Sequence, residues 1–331
     1  MHAATQNLRG GVSPRNTRLR GQSIIEYVLI IAVIDLVIVF AGPGVAGAIR
    51  NQFRLVGNTV NSGTTGGVEG GAPGGGSTGA DSATVQAAIA KDAKDWTLGE
   101  QKAVAEDIAA KGEASPAYAK AKAAMDAGIK FSMKLTNGKT LEYRIIGIDH
   151  DDLANGSGKA GLTFLTTSTG ISSRVNATDT NAGGWEKSEL REKMNSGEIW
   201  NLMPSDFQSK VKTVRKLTNN VGGGEENKNA AVTATSDRLF LLSYSEIVPT
   251  SPWASDCPWT SSEGAQYEAL KGKVTNSYSS NAAIAVGDFW WERSVNPYFS
   301  AYFLRVYDNG DPSCSYGRAT YSSCVCPAWC F

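Results

Sequence analysis

The side chains best suited to covalent or metal chemistry are few and unevenly placed. All five cysteines, Cys257, Cys314, Cys324, Cys326 and Cys330, fall in the last 75 of 331 residues, and only two histidines occur, His2 and His150. Two imidazoles leave little for histidine-based catalysis or histidine-ligated zinc. Four thiolates suffice for a closed zinc site, but Cys324-x-Cys326 is tighter than the usual zinc spacing. A disulfide formed under oxidising conditions is the better reading, and the odd count leaves at least one thiol free. Neither a metal nor a cofactor is expected. The run Asp149-His150-Asp151-Asp152, followed by Asn155-Gly156, lacks the alternating acids and distal Glu of a calcium loop and reads as a solvated turn. Gly222-Gly223-Gly224 lacks the Lys-Ser/Thr of a phosphate loop and reads as a connection. Lys+Arg and Asp+Glu balance at 32 each, so no excess of positive charge points to nucleic acid.

Recognition chemistry is concentrated at the C-terminal end. From Arg293 to Phe331, Asn, Asp, Ser, Tyr and Cys fill 19 of 39 positions. Tyrosine gives large contact area at low entropic cost, and Ser and Asn give adaptable hydrogen bonds, as in an antibody paratope. The candidate ligand face is Asn296, Tyr298, Tyr302, Asp308, Asn309, Asp311, Ser313, Tyr316 and Tyr321. These alternate with Phe303, Leu304 and Val306, so a strand buries one set and exposes the other. Trp290, Trp291, Trp329 and a buried strand over Arg238–Ser243, with Phe240-Leu241-Leu242 at its centre, are expected to hold that face still.

The elements that must position these residues follow from composition and period. Residues 61–82 form a linker with nine glycines in 22 positions, a flexible chain about 25 Å end to end. Residues 83–128 are alanine-rich and helical, with stops at Gly112 and Ser115-Pro116. Phe131–Leu135 and Leu141–Ile145 flank Asn137-Gly138 as a β-hairpin, and Leu162–Leu165 is a further strand. Helices are expected from Trp185 to Arg191 and from Phe207 to Leu217, and short aromatic strands after Trp290. No second linker interrupts 129–331, which reads as one α+β domain.

Ile24–Ile49 is the one long apolar run. As a helix its 26 residues reach about 39 Å, enough for a hydrocarbon core of about 30 Å. Arg9, Arg15, Arg18 and Arg20 precede it with no acid up to Gly21. Gly21-Gln22, then Glu26-Tyr27 at the fifth and sixth positions of the helix, resembles the N-terminus of a type IV prepilin of the Flp (type IVb, tight-adherence) class. The resemblance implies a leader over 1–21, a pilin-type transmembrane helix over 22–60, and cleavage between Gly21 and Gln22 by a prepilin peptidase. It also implies that Glu26 and Tyr27 serve assembly with other pilin subunits, Glu26 by neutralising a neighbour's N-terminal ammonium. Asp35 has no assigned partner. The implied location is the bacterial cell membrane, crossed once before assembly, and then the cell surface or pilus.

A second resemblance covers about 200 residues. Gly184-Trp185-Glu186-Lys187-Ser188-Glu189-Leu190-Arg191, Asp237-Arg238-Leu239-Phe240-Leu241-Leu242-Ser243, Trp290-Trp291-Glu292-Arg293-Ser294 and Val325-Cys326-Pro327-Ala328 look like a bacterial surface-protein domain family of unknown function. That family is similar to the C-type-lectin-like fold of formylglycine-generating-type domains. The resemblance implies a C-type-lectin-like ligand-binding domain over 129–331 whose partner is an extracellular protein or glycan. The Tyr/Asn/Ser-rich ending also resembles the variable region of diversity-generating retroelement targets; a polar surface with no such history fits equally. Together these give a non-enzymatic surface adhesin or receptor. The alternatives are a formylglycine-generating-type enzyme, which needs reactive cysteines, and a purely structural minor pilin.

The N-terminal reading has a direct check. N-terminal sequencing of membrane-extracted protein is expected to begin at Gln22; a start beyond Ala48 would mark a conventional signal peptide and remove the prepilin resemblance.

Overall fold

A computed structural model describes residues 82–224, 227–275, 278–312 and 316–331. All belong to one compact unit, Ala72–Phe331. Among the described residues no helix is long and apolar enough to cross a membrane. The longest, Leu98–Lys111, has 14 residues, about 21 Å against a hydrocarbon core of about 30 Å. The expected fold with an N-terminal transmembrane helix is therefore corrected to a mixed α/β domain. Residues 22–60 lie outside the described residues, as do Gly21, Gln22, Glu26 and Tyr27. So does the linker up to residue 81; Ser82 already opens a helix.

Three helices come first: α1 (Ser82–Ala90), α2 (Leu98–Lys111) and α3 (Tyr118–Asp126). Helix α2 starts on a capping box, in which the Thr97 side chain accepts from the Glu100 N–H and the Glu100 carboxylate accepts from the Thr97 N–H. Its buried stripe, Val104, Ala105 and Ile108, joins the same core as the strands that follow. The approach is very close at Gly161, where a Cβ would lie 1.8 Å from the Ala105 carbonyl oxygen.

The first sheet begins with the expected hairpin. Strands β1 (Lys130–Lys134) and β2 (Thr140–Ile148) pair Met133 with Leu141 around the turn, where Gly138 takes φ +84°. Strand β3 (Leu162–Thr166) follows, and β11 (Ala328–Cys330) from the far end of the chain completes the antiparallel order β1-β2-β3-β11. The second sheet runs β4 (Ser172–Ser173), β10 (Ser323–Cys324), β7 (Trp290–Val295), β8 (Tyr302–Val306), β9 (Tyr316–Arg318), with only β10 and β7 parallel. Between β4 and β7 in sequence lie α4 (Glu189–Asn195), α5 (Glu198–Leu202), α6 (Ser205–Gln208), and the β5 (Val214–Thr218) and β6 (Thr233–Asp237) ribbon. A single turn of helix, α7 (Tyr244–Ile247), follows.

Three expected elements differ. The helix expected from Trp185 to Arg191 starts only at Glu189, on a Ser188 cap. Phe207–Leu217 is not one helix: α6 stops at Gln208, and β5 buries Val214, Lys216 and Thr218 in alternation, a period of two that fits only a strand. Residues 239–243 are buried, Arg238 only partly, and the segment is irregular, with one bridge from Phe240 to Ala328. A side chain explains this, because the Arg293 guanidinium takes the Leu241 carbonyl, which a regular ladder would use. Trp290, Trp291, Trp329 and Phe240-Leu241-Leu242 are all buried, as expected. The expected disulfide is absent among the described residues: Cys257, Cys324, Cys326 and Cys330 are free and buried, and Cys314 lies outside them. Cys324 Sγ and Cys326 Sγ stand 3.9 Å apart, well beyond the S–S bond length of about 2 Å.

Trp291 is fully buried and donates to the Ser173 carbonyl at 2.9 Å. Trp291→Ala is expected to cost about 3–5 kcal/mol in urea unfolding, whereas the exposed Tyr316→Ala should change stability by less than about 0.5 kcal/mol.

Candidate functional site

The charged residues of the core form one connected group. Arg293, on β7, donates to the Thr218 hydroxyl at 3.0 Å, the Leu241 carbonyl at 2.7 Å, the Glu263 carbonyl at 2.5 Å and the Glu246 carboxylate at 2.5 Å. Lys216, on β5, spends its three N–H groups on Glu246 at 2.5 Å, Asp151 at 2.6 Å and the Tyr267 hydroxyl at 3.0 Å. Burial pushes the Asp151 carboxyl up, but the Lys216 ammonium outweighs it and holds Asp151 well below the usual range. Glu246 is likewise lowered, burial being overcome by Arg293 and Lys216. The run 149–152 is thus no solvated turn throughout, since Asp151 is an internal ion-pair partner. Among the described residues no three acids, histidines or cysteines are grouped to hold a metal.

Two further acids behave differently. Burial pushes Glu263 up to about 7 despite hydrogen bonds from Ser294 and the Asn219 N–H. Glu292 is raised well above the usual range by burial and by Glu263, and neither of its oxygens has a hydrogen-bond partner. Beside this group opens a cavity of about 300 Å³, lined by residues 149–152, Lys159, the outer part of β5 and the 263–268 loop.

The residues expected to bind ligand divide into two sets. At the start of β8, Tyr302 faces Arg318 of β9 across the pair, and Tyr316 stands opposite Leu304 on the same face. The rings of Phe299, Tyr302 and Tyr316 form a triangle with centroids 5.1–5.8 Å apart. Arg318 lies 5.5 Å over Tyr302 and pairs with Asp179 at 2.7 Å. Tyr298, next in the chain, is exposed and donates to the Asp256 carboxylate at 3.2 Å. Asn296 is not on this surface. It is buried, and its side-chain oxygen accepts from the Tyr298 and Phe299 N–H groups, which shapes the turn that presents the rings.

The second set lies beyond the other end of β8, about 17 Å along the strand. There Asp308, Asn309 and Asp311 bond to one another in a turn, and Asn309 also donates to Ser280. Tyr321 is exposed; Ser313 lies outside the described residues. Sequence reasoning passed over Phe299, Arg318 and Asp179, although Phe299 sits inside the same aromatic segment.

The motif residues are internal. Asp237 binds the Trp185 indole N–H at 3.0 Å and the Arg191 guanidinium at 2.6 Å, while Ser188 caps α4. A mixed α/β domain locked by such internal pairs, with an exposed aromatic edge, is the class of protein described here. Residues 160–330 match a family described as a domain of unknown function, DUF6273. The match covers half the chain, and the chain belongs to that family. No curated protein and no solved structure matches it.

Glu263 gives a pH test. An unfolded glutamate titrates near 4.5 and folded Glu263 near 7. Between those values the folded state keeps a proton that the unfolded state has released, so this group's contribution to stability falls as pH rises and is flat above the window. Glu263→Gln should remove that slope, a difference on the order of 1–3 kcal/mol between pH 5 and 7.5 by urea unfolding.

Proposed function

We propose that this domain is a non-enzymatic recognition module of a surface adhesin or receptor, binding an extracellular protein or glycan through the aromatic edge of β8 and β9. The observation that carries the reading is the triangle of exposed Phe299 and Tyr316 with half-buried Tyr302, flanked by Tyr298 and the Arg318–Asp179 pair. Large rings with a charged pair at their margin supply apolar area and directional hydrogen bonds together. Monomeric proteins rarely leave rings of this size grouped in water without use. The prepilin-like N-terminal sequence is the reason to look for the ligand outside the cell.

The enzyme alternative needs a reactive thiol. Cys324 and Cys326 are fully buried, and the Cys324 thiol and burial together push Cys326 well above the usual range. A thiol kept protonated and away from solvent is a poor nucleophile.

The test uses a fragment from Ala83 onward, which contains every described element but the first residue of α1. It is screened against arrays of glycans and cell-surface proteins. Changing Tyr298, Tyr302 and Tyr316 together to Ala should weaken the best hit by at least about tenfold with an unchanged unfolding midpoint. Full affinity in the folded triple variant would place recognition elsewhere.

A further inference from the structure

The cavity beside the buried charges shares no residue with the aromatic edge. Its cations are unequally engaged. Lys216 has all three N–H groups occupied by Asp151, Glu246 and Tyr267. Lys159 donates to the His150 carbonyl at 2.7 Å and stands 3.6 Å from Asp152. Arg215 is different. It points away from the core between buried Val214 and Lys216, lines the cavity, and makes no side-chain hydrogen bond or ion pair among the described residues. A guanidinium presents a planar fork of donors that matches a carboxylate in two parallel bonds.

The cavity also holds a positioned carboxylate. Glu268 accepts from His150 Nδ1 at 3.0 Å, and the His150 ring is stacked on Tyr267 with centroids 4.1 Å apart. Glu268 keeps a third of its side chain exposed, and Asp152 more than half. Both carboxylates already stand near lysine ammonium groups, Glu268 3.2 Å from Lys271 and Asp152 3.6 Å from Lys159, so an ammonium group is the cationic partner these acceptors fit. The walls carry backbone held in unusual conformations. Asp149 takes φ +54°, and Gly264 takes φ +133° where a Cβ would sit 2.7 Å from the Glu246 carboxylate. Conformations of this kind gather at binding sites and are kept by their surroundings. No Ser, Thr or Cys lines the space, so it offers no hydroxyl or thiol nucleophile. About 300 Å³ lies at the small end of ligand pockets.

We infer that this cavity binds a small zwitterion of the α-amino-acid class, its carboxylate on the Arg215 guanidinium and its ammonium on the Glu268 and Asp152 carboxylates. The site is independent of the aromatic edge, so ligand recognition there and amino-acid binding here stand or fall separately.

The experiment is calorimetric titration of the full chain with the standard amino acids, and with acetate and methylammonium as half-ligands. At least one amino acid should bind with Kd below about 1 mM, and each half-ligand at least about tenfold more weakly. Arg215→Gln and Glu268→Gln should each weaken that amino acid by about tenfold or more, with circular dichroism and unfolding midpoint unchanged. The Tyr298/Tyr302/Tyr316 variant should bind it as the parent does. Absence of binding by every amino acid at about 10 mM, equal binding of acetate or methylammonium, or undiminished affinity in Arg215→Gln would each overturn the assignment.

Discussion

The Arg293 guanidinium is fully buried and meets groups from four separated parts of the chain: β5, the 238–243 segment, α7 and the loop at Glu263. Burying an unpaired cation costs several kcal/mol, so each of these partners must be in place before the charge is tolerable. Three of the groups are backbone carbonyls, which need no ladder because the guanidinium supplies their donor. That is why the segment over 238–243 can cross the core without being a strand. Glu246 carries the constraint onward to Lys216 and Asp151, so the 149–159 loop and β5 are fixed by the same charge.

This arrangement leaves the aromatic edge outside the charged core that fixes the fold. Beneath the aromatic edge, Arg305 stacks on Trp291 and Phe289, and Gly317 leaves room for both Trp291 and Arg305. The exposed rings rest on this layer through β8 and β9 but contribute little to it. Substitution at Tyr302 or Tyr316 therefore changes what the surface meets without touching what holds it.

Local signals were legible where one segment decides its own structure. Asn137-Gly138 fixed the hairpin and the tryptophans of 290–291 identified the core, whereas the helix expected from Trp185 starts only at Glu189. Segments whose conformation depends on a distant charge were not. Lys216 in β5 looks like a helix surface residue until Asp151 and Glu246 are brought to it, and Asp151 looks solvated until Lys216 arrives. The ligand face was read from composition and alternation, and neither distinguishes a tyrosine that faces water from an asparagine that builds the turn beneath it. Hence Asn296 was included, and Arg318, an ordinary basic residue by type, was passed over.

The last strand has a consequence for how the domain comes into being. β11 lies against β3, bridges back to Phe240 and Lys212, and is followed by a buried Phe331 whose N–H donates to the Leu162 carbonyl. During synthesis the hydrophobic β3 must wait with its edge open until residues 328–331 leave the ribosome. Contacts so distant in sequence form slowly, and an open apolar edge is a template for misassociation. A chain lacking residues 328–331 keeps nearly every described residue yet lacks the strand that closes β3, and its open apolar edge is exposed to proteolysis.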